Sequence, residues 1–315
     1  MRALFDPIMP FAVERIVTGD GHEIYVEQIG NPKGIPVLFL HGGPGSGCNE
    51  NHRRYFNPGV YRVILFDQRG SGKSTPKGEV QNNTTQLLLR DMELIRNHTG
   101  VGQWLLFGGS WGSTLALLYA QAHPEWVRGM VLRGIFLARE RDLYWFAHDG
   151  VSRIFPDEWD RFLGAMTPEE RHDPLAACQR HVLGSDRALS ERYALAWSRW
   201  AGRVATYLLP EAPPAEPDMA ITVQQARIEM HYAQQRYFLT ENQILDNANR
   251  IPKIPVHIIH GRRDLTCTLD AAWALREKLP YADLVIVREG GHLASEPAMV
   301  DALVTATDSM ADKLR

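Results

Sequence analysis

Short apolar runs recur along the chain, and each ends in a turn that is polar or rich in glycine. These runs cover residues 36–40, 63–66, 104–107, 130–133, 255–260 and 283–287. Continuous apolar runs of this length are typical of strands buried on both faces of a parallel sheet. Helical stretches such as 86–97 alternate with them, which predicts an α/β fold with a mostly parallel central sheet and helices on both faces. Residues 14–29, with Gly19-Asp20-Gly21 at their centre, predict a hairpin that opens the sheet.

The alternation of strands and helices stops after the run at 130–133. Residues 137–247 show helical stretches rich in Trp, Arg and Glu, with a proline-rich break at 210–217. A chain of 315 residues suits one large α/β domain with an insertion, or two small domains. We interpret 137–247 as an inserted helical cap that shapes a substrate pocket. The core then consists of residues 1–136 and 248–315.

A G-x-S-x-G pattern, Gly-Gly-Ser-Trp-Gly, occupies residues 108–112. An apolar strand precedes it and an Ala- and Leu-rich helical segment follows it, which is the context of a nucleophile elbow. Gly108 and Gly112 leave room for the tight turn. The pattern predicts that Ser110 is a nucleophile raised above the end of the strand. The alternative is a glycine-rich connection in which the serine only caps a helix.

A serine nucleophile needs a base and a carboxylate that orients the base. In hydrolases with this elbow, the chain order is Ser, then Asp or Glu, then His. Asp264 follows the strand at 255–260, and His292 follows the strand at 283–287 after two glycines. Open α/β sheets place functional groups at these strand ends. The sequence therefore predicts a triad of Ser110, Asp264 and His292.

Each partner of the serine has an alternative interpretation. His292 is otherwise a histidine of a surface loop, and Asp264 is otherwise a helix N-cap or a loop carboxylate. Asp270 is the second candidate for the acid, although its position favours the N-cap of a helix at 271–278.

The oxyanion hole of such a site needs backbone N–H groups beside the nucleophile. One comes from the residue after the serine, which is Trp111, and the other comes from a loop after an earlier strand. The loop His41-Gly42-Gly43-Pro44-Gly45 follows the strand at 36–40 and has the required character. Its glycines allow close approach of the backbone, and its proline stiffens the loop. Its spacing does not fit a dinucleotide-binding loop.

Two other patterns resemble a nucleotide site and a metal site, but neither fits on inspection of its residues. Residues 70–74 end like a nucleotide-binding P-loop, but Asp67 stands where that pattern needs a glycine. Asp67 and Arg69 are expected to brace the loops around the site by hydrogen bonds. His257 and His260 are three residues apart on a strand and therefore face opposite sides, so we expect no metal site.

Seven segments together resemble the proline iminopeptidase family. They are HGGPGSG (41–47), FDQRGSGKS (66–74), GGSWGSTLAL (108–117), VLRGIF (131–136), ARIEMHY (226–232), GRRD (261–264) and GGH (290–292), and the likeness extends over about residues 11–297. The resemblance implies an α/β-hydrolase-fold serine peptidase that removes N-terminal proline from peptides without a cofactor. It implies Ser110, Asp264 and His292 as the triad. It also implies oxyanion amides from Trp111 and Gly43, with Gly42 as a possible substitute for Gly43.

The cap is expected to recognise the proline. Phe136, Trp145 and Phe146 are placed to form an apolar slot for the ring, and the family uses the positions of Phe136 and Phe146; ordinary cap packing is the alternative. Glu229 matches one acid with which the family binds the substrate amine, and a solvated helix face is its alternative. The chain departs from the family's Trp-x-x-Trp-Glu pattern, because Ala201 stands where the family has glutamate. Either Glu229 alone suffices, or recognition of the amine is weakened, or the residue was engineered away. Our hypothesis is that the fold and the triad are intact while the aminopeptidase activity is reduced.

Composition narrows the partners and the compartment. The formal net charge of −3 gives no reason to expect binding to nucleic acid or to an anionic membrane. The N-terminus lacks the apolar core of a signal peptide, and no apolar run is long enough to span a bilayer. Three widely spaced cysteines argue against a disulfide framework, so we expect a reducing cytoplasm.

Two other functions remain open from the sequence. A carboxylesterase or amidase for small acyl groups would use the same triad, and Ala201 favours it. A non-catalytic, ligand-binding hydrolase scaffold usually lacks a member of the triad, whereas this chain retains a candidate for each.

Overall fold

The sheet around which the protein is built has eight strands in the part of the chain that the structure describes, residues 1–209 and 216–315. The structure is a computed structural model. The strands are β1 (Ala12–Val17), β2 (Glu23–Gly30), β3 (Ile35–Leu40), β4 (Tyr61–Phe66), β5 (Trp104–Ser110), β6 (Val127–Ile135), β7 (Val256–Gly261) and β8 (Asp283–Val287). Their order in the sheet is β1-β2-β4-β3-β5-β6-β7-β8.

The sheet is mostly parallel, as the apolar runs predict. Strands β1 and β2 form the predicted antiparallel hairpin, and β2 also pairs with β4 in the antiparallel sense. Every other neighbouring pair, from β4 across to β8, is parallel. The carboxyl ends of β3, β5, β6, β7 and β8 therefore meet along one edge of the sheet.

Helices cover both faces of the sheet. They are α1 (Thr85–His98), α2 (Trp111–Ala122), α9 (Leu269–Lys278) and α10 (Pro297–Leu314). Alternate residues of β5 point to opposite faces. Leu106 packs in the cluster that contains residues of α1, α2 and α9, whereas Leu105 packs in the cluster with α10. The predicted α/β fold is confirmed.

The described residues between β6 and β7 form helices that pack around a separate core. These helices are α3 (Glu140–Ala147), α4 (Pro156–Leu163), α5 (Pro174–Val182), α6 (Arg187–Thr206), α7 (Met219–Gln234) and α8 (Gln243–Asp246). Their shared core contains Trp197, Trp200 and Phe162. We propose that this segment is the cap domain that the sequence places at 137–247. Of the proline-rich break at 210–217, residues 210–215 lie outside the described residues.

Candidate active site

A sharp turn joins β5 to α2 and carries Ser110 at its apex. The strand ends at Ser110, and the helix begins at Trp111. The backbone of Ser110 has a φ of 55° and a ψ of −123°, a conformation that residues other than glycine rarely adopt. Backbone conformations of this kind cluster at active sites. A Cβ on Gly108 would lie 2.2 Å from the Gly112 carbonyl oxygen, so the turn requires glycine at this position. The local geometry is that of the predicted elbow.

The structure brings Asp264 and His292 together from the ends of β7 and β8. His292 Nδ1 lies 2.9 Å from Asp264 Oδ2 and 3.0 Å from Oδ1. Asp264 Oδ1 also accepts hydrogen bonds from the backbone N–H groups of Thr266, at 3.0 Å, and Cys267, at 2.8 Å. Burial alone would raise the pKa of Asp264, but the charge and hydrogen bond of His292 lower that pKa overall. The carboxylate is thus held ionised against the imidazole.

His260 lies beside Asp264, whereas Asp270, the second candidate for the acid, has other partners. His260 is fully buried on β7, accepts a hydrogen bond from the Ile135 N–H and lies 3.8 Å from Asp264. Burial lowers the pKa of His260, so this imidazole is neutral at neutral pH. The sequence suggested Asp270 as the N-cap of α9, but this prediction is wrong. The helix begins at Leu269, so its N-cap is Thr268. Asp270, which is exposed, instead pairs with Arg139, which is buried.

Ser110 and His292 line the same cavity, but no hydrogen bond joins them in this structure. The Ser110 hydroxyl instead lies 3.9 Å from the sulfur of Cys267, which also lines the cavity. Catalytic hydrogen bonds are often long in ligand-free enzymes and form when substrate binds. The hydrogen bond between Ser110 and His292 therefore stays a prediction. Burial, with the charge of Asp264, raises the pKa of the Cys267 thiol well above its ordinary value.

The glycine-rich loop after β3 lies beside the nucleophile. A Cβ on Gly42 would come within 3.4 Å of Ser110 Cβ, and Gly43 lines the cavity next to it. Gln68, after β4, ties this loop to the elbow. Its side-chain amide donates to the His41 carbonyl at 3.0 Å and accepts from the Trp111 indole at 2.9 Å.

Asp67 and Arg69 brace the same loops, as predicted. Asp67 accepts hydrogen bonds from the backbone N–H groups of Cys48, at 2.6 Å, and Lys73, at 2.7 Å. Arg69 makes a two-pronged ion pair with Asp91, at 2.6 and 2.7 Å, and both side chains are buried. The segment that ends like a P-loop is therefore a braced turn.

A cavity of about 570 Å³ lies over Ser110 and is closed on one side by the helices between β6 and β7. Three of the predicted substrate residues, Phe136, Phe146 and Glu229, line it. Trp145 is not among the lining residues; its indole donates to the Leu265 carbonyl at 2.8 Å. Trp145 therefore anchors helix α3 to the loop after β7 and does not contribute to the slot.

The apolar slot contains two further aromatic side chains. Trp197 packs edge to face on Phe146, with ring centres 5.6 Å apart, and Tyr237 packs in the same way on Phe136, at 5.0 Å. Both line the cavity. Sequence reasoning did not select them as pocket residues. Trp197 is the first residue of the family's Trp-x-x-Trp-Glu pattern, and this was the signal in the sequence that could have identified it as a pocket residue.

Glu229 extends from α7 into the cavity, where it accepts a hydrogen bond from the Trp197 indole. Burial raises the pKa of Glu229 to about 7, although the Trp197 hydrogen bond opposes this shift. Within the described chain no lysine or arginine forms an ion pair with it. Ala201 lines the same cavity and adds no second carboxylate.

Comparisons with known proteins identify the family. The family model for the α/β hydrolase fold matches residues 35–298. A proline iminopeptidase from Xylella fastidiosa (strain 9a5c) is 47% identical over 98% of this chain and 99% of its own length. Proline iminopeptidases from Arabidopsis thaliana and Neisseria gonorrhoeae are 43% and 40% identical, over 98% and 99% of this chain and 82% and 100% of their own. The chain belongs to the proline iminopeptidase family.

Solved structures agree on the fold of this proline iminopeptidase family member. A proline iminopeptidase-related protein from Thermus thermophilus superimposes with a TM-score of 0.59 at 22% identity, over 96% of this chain and 99% of that one. An esterase from Rhodococcus gives 0.61 at 19% identity, over the same shares. These structures show the fold alone. Together with the close relatives, they confirm the predicted family, the α/β-hydrolase fold and the class of enzyme, an aminopeptidase.

Two structural findings concern other kinds of site. Among residues 1–209 and 216–315, no three His, Cys, Asp or Glu side chains are grouped as metal ligands would be. None of the helices in the same ranges combines the length and the apolar character that a bilayer-spanning helix needs.

Proposed function

We propose that this enzyme releases N-terminal proline from peptides, with Ser110 as its nucleophile. The observation that carries the proposal is the paired Asp264 and His292 in the same site as the Ser110 elbow, beneath a cavity whose wall holds Glu229. Ser110 attacks the carbonyl carbon of the proline, and His292 accepts its proton. Asp264 fixes the imidazole tautomer and stabilises the imidazolium.

The backbone amide of Trp111, with that of Gly43 or Gly42, stabilises the negative oxygen of the tetrahedral intermediate. His292 then protonates the leaving nitrogen, and the shortened peptide departs. Water attacks the prolyl ester of Ser110 with His292 again as base, and free proline is released. Every step uses groups of this chain, the substrate and water.

The cap side of the cavity supports proline as the first residue. Phe136 and Phe146 offer an apolar surface to the pyrrolidine ring. Glu229 offers a carboxylate to the secondary ammonium, and an unpaired ammonium would be costly in this enclosed space. Binding of the cation favours the ionised form of Glu229 over the protonated one. We further propose a reducing cytoplasm as the compartment, because all three cysteines are free thiols.

A small-acyl esterase or amidase is the second candidate function. It is favoured by the alanine at position 201 and by the pKa of Glu229 near neutrality, because Glu229 then offers at most one negative charge to a substrate amine. The triad and the oxyanion amides would act in the same way on a neutral ester. Only the recognition of the acyl group would differ.

Parallel kinetics on proline p-nitroanilide and p-nitrophenyl acetate separate the two functions. The proposal expects a much larger kcat/KM for the prolyl substrate and loss of both activities in Ser110→Ala. A preference for the acetate would establish the esterase. If a fluorophosphonate probe fails to label Ser110, the site is not a serine hydrolase and the protein is a binding scaffold.

A further inference from the structure

The cavity over Ser110 has two walls that come from different parts of the fold. The cap wall is formed by residues of the segment between β6 and β7, among them Phe146, Trp197 and Glu229. The core wall is formed by the 3₁₀ helix Glu50–Tyr55, by Arg133 at the end of β6, and by residues 293–295 after His292. The proposed function uses the cap wall for the proline and leaves the core wall without a role.

Arg133 lies against both halves of the catalytic machinery. Its Nη1 donates to the backbone carbonyl of His292 at 2.6 Å. Strands β5 and β6 pair Arg133 with Gly109, the residue before the nucleophile, and a Cβ at Gly109 would lie only 2.4 Å from Nη2. The guanidinium is therefore packed between the elbow and the histidine loop, in the cavity where the leaving group must depart.

Arg133 has unused binding capacity. Within the described part of the chain it forms no ion pair with a carboxylate, and its one hydrogen bond leaves several N–H donors without a protein partner. The planar guanidinium matches the geometry of a carboxylate and can bind it through two parallel hydrogen bonds. Burial first, and the charges of His41 and Arg133 after it, lower the pKa of the neighbouring His52 to about 3. His52 is therefore neutral, and Arg133 supplies the positive charge of the core wall.

The cavity is thus polarised across the reacting bond. Glu229 on the cap wall has no ion-pair partner among the described residues, whereas Asp142, the other carboxylate of the lining, is paired with Arg139. A dipeptide carries an ammonium at one end and a carboxylate at the other. One residue advances an extended chain by about 3.6 Å at most. The free carboxylate of a dipeptide therefore lies only one residue beyond the scissile carbonyl.

We infer that Arg133 binds the C-terminal carboxylate of the residue that follows the proline, so that prolyl dipeptides are the preferred substrates. This inference rests on the proposed function and names its substrate class. Arg133 is then a specificity-determining residue on the leaving-group side. Longer peptides and dipeptide amides place an uncharged amide where the carboxylate would sit.

The test compares Pro-Gly with its C-terminal amide, Pro-Gly-NH₂, in the wild-type enzyme and in Arg133→Gln. We expect wild-type kcat/KM to favour the free acid by about tenfold or more, the usual size of a charge-assisted hydrogen bond. The preference should appear mainly in KM. In Arg133→Gln the two substrates should be hydrolysed at nearly equal rates, whatever the absolute activity, and Arg133→Lys should restore part of the preference.

Arg262→Gln is the matched control, because it removes an equal charge from an exposed residue that is absent from the cavity lining. It should keep the wild-type ratio of acid to amide. A wild-type ratio at or below one overturns the inference even if Arg133→Gln does not fold, and so does an unchanged ratio in a folded Arg133→Gln. Failure to hydrolyse proline p-nitroanilide would instead overturn the proposed function, so the two failures are distinguishable.

Discussion

The carboxylate of Glu229 accepts a hydrogen bond from the indole of Trp197 inside the cavity over Ser110. Burial raises the pKa of this carboxyl to about 7, so Glu229 is mostly protonated below that pH and mostly ionised above it. A single side chain thus sets whether the cavity presents a neutral acid or an anion. In the proposed function, only the anion suits the ammonium of an N-terminal proline.

The first prediction concerns the pH dependence of substrate choice. The ratio of kcat/KM for proline p-nitroanilide to that for p-nitrophenyl acetate should rise as the pH increases through about 7, because Glu229 becomes ionised there. The neutral ester needs no anion for recognition, so taking the ratio removes any pH dependence that the two reactions share. Glu229→Gln should flatten the ratio. A wild-type ratio that is constant from pH 5 to pH 9 would contradict this assignment.

A second prediction concerns stability. The pKa of Glu229 is higher in the folded chain than its ordinary value of 4.5, so the folded state binds more protons than the unfolded state between about 4.5 and about 7. This contribution is fully present below that window and is lost as the pH rises through it. The Tm of Glu229→Gln should therefore rise relative to the Tm of the wild type when the pH is raised from 5 to 8. If the difference in Tm between the variant and the wild type is the same at pH 5 and at pH 8, the pKa of Glu229 is not raised.

A third prediction addresses the position at which the chain departs from its family. Ala201→Glu places a second carboxylate in the cavity that Glu229 lines. It should raise the rate on proline p-nitroanilide relative to p-nitrophenyl acetate by about tenfold, since two carboxylates share the ammonium. Ala201→Gln is the control, because it has nearly the same size without the charge. An unchanged ratio in Ala201→Glu would show that position 201 does not affect recognition of the amine.

Gln68 provides a fourth prediction, about the oxyanion loop. Its side chain joins the His41 carbonyl to the Trp111 indole, so Gln68→Leu removes both hydrogen bonds. We expect kcat to fall by about 10- to 100-fold with a small change in KM, because misaligned oxyanion donors weaken transition-state binding more than substrate binding. Gln103→Leu, at an exposed site, is the control. A rise in KM of the same size with an unchanged kcat would argue for a role in substrate binding instead.

Much of this arrangement was predictable because it follows local rules. Apolar runs locate the parallel strands, and the carboxyl ends of β5, β7 and β8 then fix where Ser110, Asp264 and His292 must emerge. Gly108 and Gly112 mark the elbow since no larger residue fits there. These features depend on a few neighbouring residues and on the geometry of a parallel sheet.

The remaining features depend on contacts between distant segments. Trp145 and Phe146 are adjacent aromatic residues of helix α3, so the sequence pattern does not distinguish them. Only the hydrogen bond from the Trp145 indole to the distant Leu265 carbonyl shows that Trp145 lies outside the slot. Tyr237 enters the slot from a turn in which it has a φ of 56°. His260 accepts a buried hydrogen bond from the Ile135 N–H, and Gln68 accepts one from the Trp111 indole. No periodicity encodes these contacts.

The central claim is that Ser110, His292 and Asp264 act as one unit, and kinetics of the single and double variants on proline p-nitroanilide test it most directly. We expect Ser110→Ala and His292→Ala each to lower kcat by about 10⁴-fold or more, and the double variant to lose no more than either alone, as interdependent catalytic groups do. If a folded His292→Ala retains a rate within about tenfold of the wild type, the account is contradicted.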